Sequence, residues 1–527
     1  MIYIIEKLQL NALKLPRNYA GLLPSILGRE LHIDPRQITH CEILSASIDS
    51  RRGTPKLLLK LLVETLQPLS RLSPASPEEI AALAIPDPEL PESTALRHPV
   101  IVGTGPAGIS AACLLAAAGC APVIIDRGFP VEQRAADYRK FLDHRQLDSE
   151  SNLLIGEGGA GTFSDGKLHT GTKDRRSRFL KKLWVECGAP EEILYLSRPH
   201  IGSDKLLELC ANLRKKIEAM GGIFRFGTEV ADILVKDGSC RGVILASGET
   251  IEAPAVLFAP GLGGRELLRR VCRSAAWELK PFQTGCRIEH PQTIIDRAMY
   301  HLPRRPDALG AAEYHIVSRA EAGNVSSFCM CPGGRVVNAT AWDGHSITNG
   351  MSCFARADEF ANSCLITTID PADFGSDANR IFEVFAGVER AIFNAGGKDY
   401  TFPAQDAAAF LARKSGLNNC KTGCDTGIVP GRLDQLLPEQ LKNALLPAVK
   451  NFEHKIPGFI KYGKFIGAES FVSSPVRLLR DFETMTNPEL PGLYPAGEGC
   501  GLAGGIVSAA CDGMRAAEAM LNAAKKV

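Results

Sequence analysis

The alternation of apolar and polar stretches between residues 97 and 128 is the strongest structural signal in the chain. The apolar run Val100–Val102 predicts a buried strand, and an alanine- and leucine-rich stretch that ends near residue 118 predicts a helix. The apolar run Val123–Ile125 predicts a second strand, which ends at Asp126. A glycine-rich turn joins the first strand to the helix, and this order of elements predicts a dinucleotide-binding βαβ unit.

Three glycines and one acid in this unit have separate expected roles. Gly103 allows a tight turn after the strand, Gly105 lets a pyrophosphate approach the backbone, and Gly108 lets the helix pack closely on the sheet. Asp126 is placed to accept hydrogen bonds from an adenosine ribose. The N-terminus of the helix then presents free N–H groups and the positive end of its dipole to the phosphates.

The pattern before this unit predicts a small module and a linker. Four segments are typical of a strand, a helix and two further strands, in this order: residues 2–10, 19–30, 41–48 and 56–64. Residues 1–66 are therefore expected to form a small α+β domain, with ferredoxin-like as the suggested topology. Residues 67–96 are rich in proline and are expected to be a linker.

The pattern after the unit predicts a discontinuous α/β domain. A charged helix at 131–150 precedes a second glycine-rich loop at 156–167, and three strands are expected between residues 224 and 258. The C-terminal segment repeats the order of strand, glycine turn and helix. The expected fold is a Rossmann-like domain with an inserted substrate domain, divided as follows: 97–270 for the first part, 271–470 for the insertion and 471–527 for the second part.

Composition limits the class of protein. The 527 residues carry 60 basic and 59 acidic side chains, a balance that argues against a dedicated nucleic-acid-binding protein. Residues 99–125 carry no charge, but glycines and prolines divide them into strand, helix and strand, so we expect no membrane span. The start of the chain lacks the pattern of a signal peptide. The 16 cysteines form no compact framework, which favours free thiols in the cytosol.

Several motifs carry a resemblance to known flavoproteins. The GTGPAG turn with Asp126, the strand before Ala259-Pro260-Gly261, and the terminal Gly497-Glu498 resemble the flavoproteins of the glutathione reductase structural type. The stretches NLLIGEGGAGTFSDGKL, GCRIEHPQ, SFCMCPGG, SSPVRLLRD and GLYPAGEGCGLAGGI are more closely similar to a family of uncharacterised bacterial FAD-dependent dehydrogenases. This resemblance covers residues 97–527, and it implies FAD as the cofactor.

The resemblance also implies which residues hold FAD. The expected positions are Gly103, Gly105, Pro106, Ala107, Gly108, Asp126, Arg127, Gly159, Gly161, Val230, Ala259, Gly261, Gly497, Glu498, Gly504 and Gly505. Asp126 and Arg127 would bracket the adenosine, and Val230 would give backbone bonds to the adenine. Glu498 would hold the ribityl chain. One departure from the family is Glu469, which stands in a segment where an arginine and a threonine are expected, so one anionic contact is expected to be absent.

Candidate substrate residues lie in the inserted region and after it. Arg287, Glu289 and His290 form an acid, base and anion-binding set on one short segment, with Arg287 and Glu289 on the same strand face. The alternative is an ion pair and a turn of purely structural value. Further candidates of the same kind are Arg335, Asn349, Arg356 and Arg477.

The cysteines lack the spacings of flavin disulfide reductases. The chain has no CxxC or CxxxxC motif, but it contains Cys329-Met-Cys331 and the pair Cys420 and Cys424. A bridge between two thiols in a C-x-C motif requires strain. Packing is the expected role of these four thiols, with a zinc site or a redox role as the alternatives, and no metal site is expected. Cys500 is expected to be a small residue in a tight turn, with a lowered thiol pKa as the alternative.

These observations predict a cytoplasmic FAD-dependent oxidoreductase that transfers hydride between a small-molecule substrate and flavin N5. No second GxGxxG motif occurs in a strand–helix context, so the electron donor or acceptor must be a separate species. Two alternatives remain open, a non-catalytic or partner-dependent flavoprotein and an RNA-modifying flavoenzyme. The basic cluster between Lys173 and Lys182 is expected to be solvated surface, with an acidic partner or RNA as the alternative.

Overall fold

The N-terminal module of the computed structural model is a three-stranded antiparallel sheet with one helix. The structure describes residues 1–16, 19–51, 53–69, 72–91 and 94–525. The elements of the module are β1 (Ile2–Asn11), α1 (Leu23–Leu31), β2 (Ile38–Asp49) and β3 (Lys56–Thr65), and the strand order is β1-β3-β2. Alternate residues of β3 are buried, which is typical of a strand with one covered face. Within the described residues no fourth strand joins this sheet, so the structure shows a βαββ unit.

The segment after the module lies against the rest of the protein. It contains a short helix, α2 (Pro77–Ala81), which a reciprocal pair of Ser76 and Glu79 hydrogen bonds caps. Arg178 donates to the carbonyl of Leu83 at 2.7 Å, and Lys182 lies 3.1 Å from Asp87. These contacts hold the expected linker against a neighbouring helix. Residues 70–71 and 92–93 of this segment lie outside the described residues.

A five-stranded parallel sheet with flanking helices follows. The elements up to residue 271 are β4 (Val100–Val102), α3 (Pro106–Ala117), β5 (Val123–Ile125), α4 (Val131–His144), α5 (Arg176–Glu186), α6 (Ser203–Ala219), β6 (Ile223–Arg225), β7 (Val230–Lys236), β8 (Ser239–Leu245), β9 (Thr250–Glu252), β10 (Val256–Phe258) and α7 (Arg265–Val271). Strands β7, β8 and β9 form a separate antiparallel sheet. The three strands expected between residues 224 and 258 are therefore five, because β6 and β9 are three-residue strands with little apolar pattern.

The chain then forms a larger mixed sheet before it returns. The elements are β11 (Trp277–Leu279), β12 (Phe282–Pro291), α8 (Gln292–Tyr300), β13 (Val317–Ser318), β14 (Val325–Cys331), β15 (Arg335–Asn338), β16 (Thr348–Met351), β17 (Phe360–Ile369), α9 (Ala378–Ala395), β18 (Phe402–Asp406), α10 (Ala407–Leu411), β19 (Ile428–Pro430), α11 (Leu433–Leu436), α12 (Glu439–Lys455), α13 (Phe459–Tyr462), β20 (Lys464–Glu469), β21 (Val476–Leu478), β22 (Leu493–Pro495) and α14 (Ile506–Ala524).

Sheet order shows how the two regions connect. The seven-stranded sheet has the order β13-β14-β17-β12-β20-β18-β19, and we call residues 282–469 the seven-stranded region. The parallel sheet has the order β22-β10-β4-β5-β6, so its edge strand comes from the far end of the chain. The antiparallel pair β11 and β21 lies where the chain leaves the region of the parallel sheet and where it returns to it. Within the described residues no helix is long and apolar enough to span a membrane.

Two helices pack closely beneath the parallel sheet. A Cβ added at Gly513 in α14 would lie 2.0 Å from the carbonyl oxygen of Ala107 in α3, so the two backbones are in direct contact. Both helices contribute buried alanines to the same core. Their N-termini, at Gly105 and Gly505, are therefore held near each other at one edge of the sheet.

Candidate functional site

A cavity of about 610 Å³ separates the parallel sheet from the seven-stranded region. The loops at the carboxyl ends of β4, β5 and β10 line one wall, together with the N-termini of α3 and α14. Residues of the seven-stranded region line the opposite wall. The carboxyl edge of an open parallel sheet is where such folds bind ligands, so the cavity is the candidate site.

The first glycine turn is built as the sequence predicts. Gly103 has φ of +97°, and a Cβ there would lie 2.2 Å from the carbonyl oxygen of Ala259. A Cβ at Gly108 would lie 1.9 Å from the carbonyl oxygen of Gly103, so this glycine lets the helix approach the turn itself. Gly105 has φ of −69° and ψ of −179°, and a Cβ there would meet nothing within 4 Å. The backbone at Gly105 therefore faces open space in the cavity.

Two helices direct their N-termini at the cavity. The capping positions of α3 and α14 are Gly105 and Gly505, and neither helix has a side chain that caps its first N–H groups. Pro106 and Ala107 line the cavity at the start of α3, and Gly504 and Gly505 do so at the start of α14. Unpaired N–H groups and the positive end of the helix dipole favour anionic groups at both positions.

The second glycine loop is held in place by a buried arginine. Gly159 and Gly161 line the cavity, and Gly159 has φ of +60°. The guanidinium of Arg134 in α4 is fully buried and donates to the carbonyls of Asn152 at 3.0 Å, of Glu157, and of Gly159 at 3.1 Å. Burial lowers the pKa of Arg134 to about 10. The sequence predicts a charged helix here but gives no signal that one of its charges fixes the loop.

The adenosine end of the expected site contains Asp126, Arg127 and Val230, which all line the cavity. Asp126 accepts hydrogen bonds from the amide N–H of Thr104 at 2.9 Å and from that of Gly128 at 2.8 Å. It therefore ties the two βα turns together and still borders the cavity. Arg127 lies 3.5 Å from Glu150.

Glu498 occupies the turn between β22 and α14. The adjacent amide N–H of Gly497 donates to Asp512 at 2.9 Å, and Asp512 pairs with Arg480. This buried pair, which the sequence does not reveal, fixes the turn. Burial raises the pKa of Glu498 to about 7, and the neighbouring carboxylate of Glu469 adds to the rise. Glu498 borders the cavity, so it can hold or release a proton there near neutral pH.

The glycine positions are a test of whether a flat, phosphorylated cofactor fits. A Cβ at Gly105, Gly261 or Gly505 would meet nothing within 4 Å, although all three residues line the cavity. Gly261 and Gly505 have φ of +61° and +79°, which favours glycine for the backbone alone, so Gly105, with its ordinary φ, is the position that carries the test. The glycines, with Ala259 beside them, leave room for a molecule that contacts the main chain directly, as the pyrophosphate and flavin of FAD would.

The opposite wall contains a buried carboxylate network that the sequence did not indicate. Glu389 of α9 accepts hydrogen bonds from His345 at 2.7 Å, from Ser470 at 2.6 Å and from Arg265 at 3.2 Å. Burial alone would raise the pKa of Glu389, but these partners lower it below its ordinary value. The guanidinium of Arg265 stacks on Trp342, 3.5 Å from the ring centre. The network joins four distant segments at the cavity.

Arg287 lies behind this wall and does not line the cavity. It is fully buried, and it donates to Glu469 at 2.6 Å and to Asn362 at 2.8 Å. The carboxylate of Glu469 does line the cavity. Arg287 is therefore placed to orient Glu469, and this ion pair matches the structural alternative for the segment.

The other candidate substrate residues are mostly engaged elsewhere. Glu289 accepts from Thr422 at 2.9 Å and from Gly423 at 2.8 Å, and burial raises its pKa to about 6. His290 contacts the carbonyl of Phe459 at 2.9 Å, and burial lowers its pKa to about 4. Both support the sheet, outside the cavity lining. These contacts match the structural alternative for the segment, and a substrate contact of Glu289 and His290 stays a prediction.

The four further substrate candidates differ in where the structure places them. Arg477 is exposed and pairs with Glu278 at 2.9 Å, and Arg335 is exposed and pairs with Asp358 at 2.8 Å. Arg356 is half-buried and pairs with Asp165. None of these arginines lines the cavity, whereas Asn349 does.

The cysteine pairs differ from each other. Cys329 lines the cavity and Cys331 is fully buried directly behind it, whereas Cys420 is exposed and Cys424 is buried away from the cavity. Cys500 is buried and donates to the carbonyl of Phe258 at 3.2 Å; burial raises its pKa. Across the part of the chain that the structure describes, no group of three His, Cys, Asp or Glu side chains is arranged to hold a metal ion.

Comparison with known proteins adds the family. The chain is 36% identical over 513 residues to an uncharacterized protein of Clostridium beijerinckii, an alignment that covers 95% of this chain and 96% of that protein. The chain belongs to the same family as this clostridial protein. Residues 281–471 also match a family model described as "FAD-dependent protein, C-terminal domain-like". FAD is therefore the cofactor, in agreement with the bare glycine turns.

Other similar proteins match a shorter part of the chain or superpose on it less closely. A phytoene desaturase (neurosporene-forming) of Cereibacter sphaeroides is 43% identical over 58 residues, which is 11% of each chain. Among solved structures, a geranylgeranyl bacteriochlorophyll reductase-like protein from Thermoplasma acidophilum is 13% identical, with a TM-score of 0.35 over 81% of this chain and 79% of that one. At that TM-score the superposition carries no conclusion about this protein.

Proposed function

We propose that this protein is an FAD-dependent oxidoreductase that acts on a small organic molecule in the cavity. The observation that carries the proposal is the opposition of two walls. Glycines and two uncapped helix N-termini line one wall of the cavity, and buried carboxylates and aromatic side chains line the other. The cavity between the walls has a volume of about 610 Å³. A cavity of this construction has one side for a cofactor and another for a substrate. The FAD-dependent family model supports the same reading.

The residues of the cofactor wall would bind FAD and polarise its ring system. The N-terminus of α3 would hold the pyrophosphate, and the N-terminus of α14 would stabilise negative charge on the ring system. FAD supplies hydride exchange at flavin N5 when it is bound. Glu498 would accept a ribityl hydroxyl hydrogen bond, and its raised pKa also suits it to hold a proton near the ring.

The residues of the opposite wall orient the substrate. Glu389 and Glu469 are both fixed by arginine partners, so they offer rigid acceptor positions for donor groups of a substrate. Tyr314, Phe328 and Trp342 add aromatic surface to the same wall. A small molecule with both apolar and hydrogen-bonding parts is the substrate class that this lining suits.

The proposal also includes a separate electron donor or acceptor and a cytoplasmic location. The chain carries no second glycine motif in a strand–helix context, so the donor or acceptor is a separate molecule or protein that reaches the cavity. All 16 cysteines are free thiols, which supports a reducing cytoplasm. The basic cluster at 173–182 is partly engaged, since Arg176 pairs with Glu518 and Asp174. No specific observation therefore favours RNA as the substrate.

A single glycine tests the cofactor wall. The dihedral angles of Gly105 lie in the extended region, which valine adopts readily, so Gly105→Val fills the cavity without straining the turn. We expect the purified variant to be folded and to lack FAD, whereas the wild type retains it. Gly310→Val is the matched control, because Gly310 is exposed and faces open space outside the cavity. Normal flavin content in Gly105→Val would show that the phosphates bind elsewhere.

Substrate screening tests the activity itself. The purified holoprotein is mixed anaerobically with metabolite pools, and bleaching of the flavin absorbance reports a reducing substrate. The dithionite-reduced protein is screened in the same way for substrates that reoxidise it. A response that the Gly105→Val variant lacks would establish an oxidoreductase. A flavin that no metabolite pool reduces and no natural electron acceptor reoxidises would favour a non-catalytic flavoprotein.

A further inference from the structure

Cys329 is brought to the cavity by an irregularity in its strand. Strand β14 pairs with β17 so that Phe328 lies opposite Cys364 and Cys331 lies opposite Asn362. Three residue steps on one strand therefore match two on the other, which is a β-bulge. Cys329 within the bulge has φ of +43°, a left-handed conformation that is costly for any residue with a Cβ. Such conformations persist where the surrounding structure enforces them, often at functional sites.

The second thiol lies immediately behind the first. Cys331 is fully buried, and its sulfur donates to the carbonyl oxygen of Cys329 at 3.3 Å. Cys329 is half-buried and faces the cavity. One thiol is thus open to a ligand and the other is shielded, which is the arrangement of an attacking and a resolving cysteine.

The charged groups around the pair favour a thiolate on Cys329. Lys167 lines the cavity, and its ammonium group lies 2.6 Å from the carboxylate of Asp165. The guanidinium of Arg287 lies 3.4 Å from the carbonyl oxygen of Cys329. The carboxylates of Glu469 and Glu498 face the same place and oppose these two cations. A hydrogen bond from Cys331, together with Lys167 and Arg287, lowers the pKa of Cys329 to about 6, while that of Cys331 is raised.

A buried hydroxyl in the same cavity is also unsatisfied. Thr348 on β16 is fully buried in the wall, and its Oγ1 has no hydrogen-bond partner among the described residues. Buried polar groups are normally paired, so Thr348 is an exception in this wall.

We propose that Cys329 and Cys331 form a thiol–disulfide exchange site that opens into the cavity and takes a small-molecule disulfide as its substrate. The Cys329 thiolate attacks one sulfur of the substrate RSSR, the S–S bond breaks, and RS⁻ leaves with the electron pair. The Cys331 thiol then gives its proton to this RS⁻ and attacks the Cys329 sulfur, which releases the second RS⁻. The two cysteines lose two electrons and become a disulfide, and RSSR gains them to give RSH and RS⁻.

This site goes beyond the proposed flavin chemistry, because the exchange itself needs no cofactor. A disulfide between residues two apart is strained, and strained disulfides are the labile and catalytic ones. The bridge would therefore be readily reduced again, as a working redox pair requires. The absence of CxxC spacing in the sequence does not bear on a pair that a bulge positions.

The first test measures thiol reactivity against pH. The parent protein carries Cys353→Ser and Cys420→Ser, which remove the two cysteines that the structure shows as exposed. Iodoacetamide labelling of Cys329, followed by peptide mass spectrometry, should rise with pH around a midpoint near 6. At pH 5.5 it should proceed about tenfold faster than labelling of an ordinary free thiol. Lys167→Met should move the midpoint to higher pH. A midpoint at the ordinary thiol value would overturn the proposal.

The second test follows the exchange with 2-hydroxyethyl disulfide as the probe. The parent should release two thiol equivalents per chain and acquire a bridge between Cys329 and Cys331. Adding Cys331→Ser should stop the reaction at one equivalent, with a mixed disulfide retained on Cys329, and adding Cys329→Ser should abolish release. If Cys329→Ser releases as much thiol as the parent, or if the parent also retains the mixed disulfide, the pair does not act as proposed.

Flavin content of each sample is recorded separately. Protein that exchanges disulfides but lacks FAD would refute the proposed function and support this site. Protein that retains FAD but fails both tests would refute this site alone.

Discussion

The two walls of the cavity are built in opposite ways. The cofactor wall consists of short continuous segments in which bare glycines and helix N-termini expose the main chain. The opposite wall consists of charged side chains that meet from distant parts of the chain, such as Arg287 with Glu469 and Arg265 with Glu389. The difference shows that the backbone geometry of the first wall comes from short local segments, whereas the side-chain arrangement of the opposite wall depends on long-range pairing.

The largest expected effect comes from breaking the opposite wall. Arg287→Met leaves the Glu469 carboxylate buried without its partner, and we expect a loss of about 3–5 kcal/mol in the free energy of unfolding. Urea unfolding measures it, with Arg335→Met as the matched control. Arg335 is in an exposed ion pair, so its loss should cost about 1 kcal/mol or less.

A second substitution sharpens this result. Adding Glu469→Gln to Arg287→Met removes the unpaired charge and should restore part of the lost stability. Equal stability of Arg287→Met and Arg335→Met would mean that the buried pair does not support the wall.

The next effect concerns the cofactor wall, where a side chain supports backbone geometry from behind. Arg134→Met removes the donor from two carbonyls of the second glycine loop and from the carbonyl of Asn152 before it, and FAD affinity should fall by about 3 kcal/mol. Titration of the apoprotein with FAD measures the change. Arg139→Met on the exposed face of the same helix should leave the Kd within about 0.5 kcal/mol. Unchanged affinity in Arg134→Met would show that the loop keeps its shape without the arginine.

The smallest effect concerns Glu498, where the two walls meet. Glu498→Ala should weaken FAD binding by about 1–3 kcal/mol, the range for losing a hydrogen bond to a charged group. Glu498→Asp should be milder, because it keeps the carboxylate. The same titration distinguishes them, and wild-type affinity in Glu498→Ala would assign this acid to substrate or proton transfer.

Glu498 also gives a pH dependence with a definite sign. Its pKa is raised from 4.5 to about 7, so the folded protein binds this proton over a pH range in which the unfolded chain has lost it. The contribution of Glu498 to stability therefore falls as pH rises from about 4.5 to 7. The apoprotein of Glu498→Gln should lack this fall when both proteins are unfolded in urea at several pH values. Parallel pH profiles of the two proteins would contradict the raised pKa.

The sequence predicted the glycine turns and the elements beside them well because their signals are local. The glycines between 103 and 108, with the strands on either side, determine their own geometry within one turn. The C-terminal strand, turn and helix were predicted for the same reason. The short strands β6 and β9 escaped prediction because three residues carry too little periodicity.

The opposite wall could not be predicted because its contacts depend on sheet order. Nothing near Glu389 in the sequence indicates that Arg265, His345 and Ser470 will surround it. Strand alternation placed Arg287 and Glu289 on one face. It could not show that residues 422–423 would donate hydrogen bonds to Glu289 outside the cavity. The position of Cys329 depends on a bulge, which shifts the register that alternation assumes.

The position of β22 at the edge of the parallel sheet also bears on protein synthesis. The ribosome completes residues 282–469 before it adds Leu493–Pro495 and Ile506–Ala524, which the parallel sheet and α3 still lack. The nascent chain must therefore keep an unpaired strand edge at β10, a known route to aggregation, until translation is nearly finished. A chain that ends before β22 would lack the segments that place Glu498, Gly504 and Gly505 at the cavity, so this wall is completed only when the last residues are synthesised.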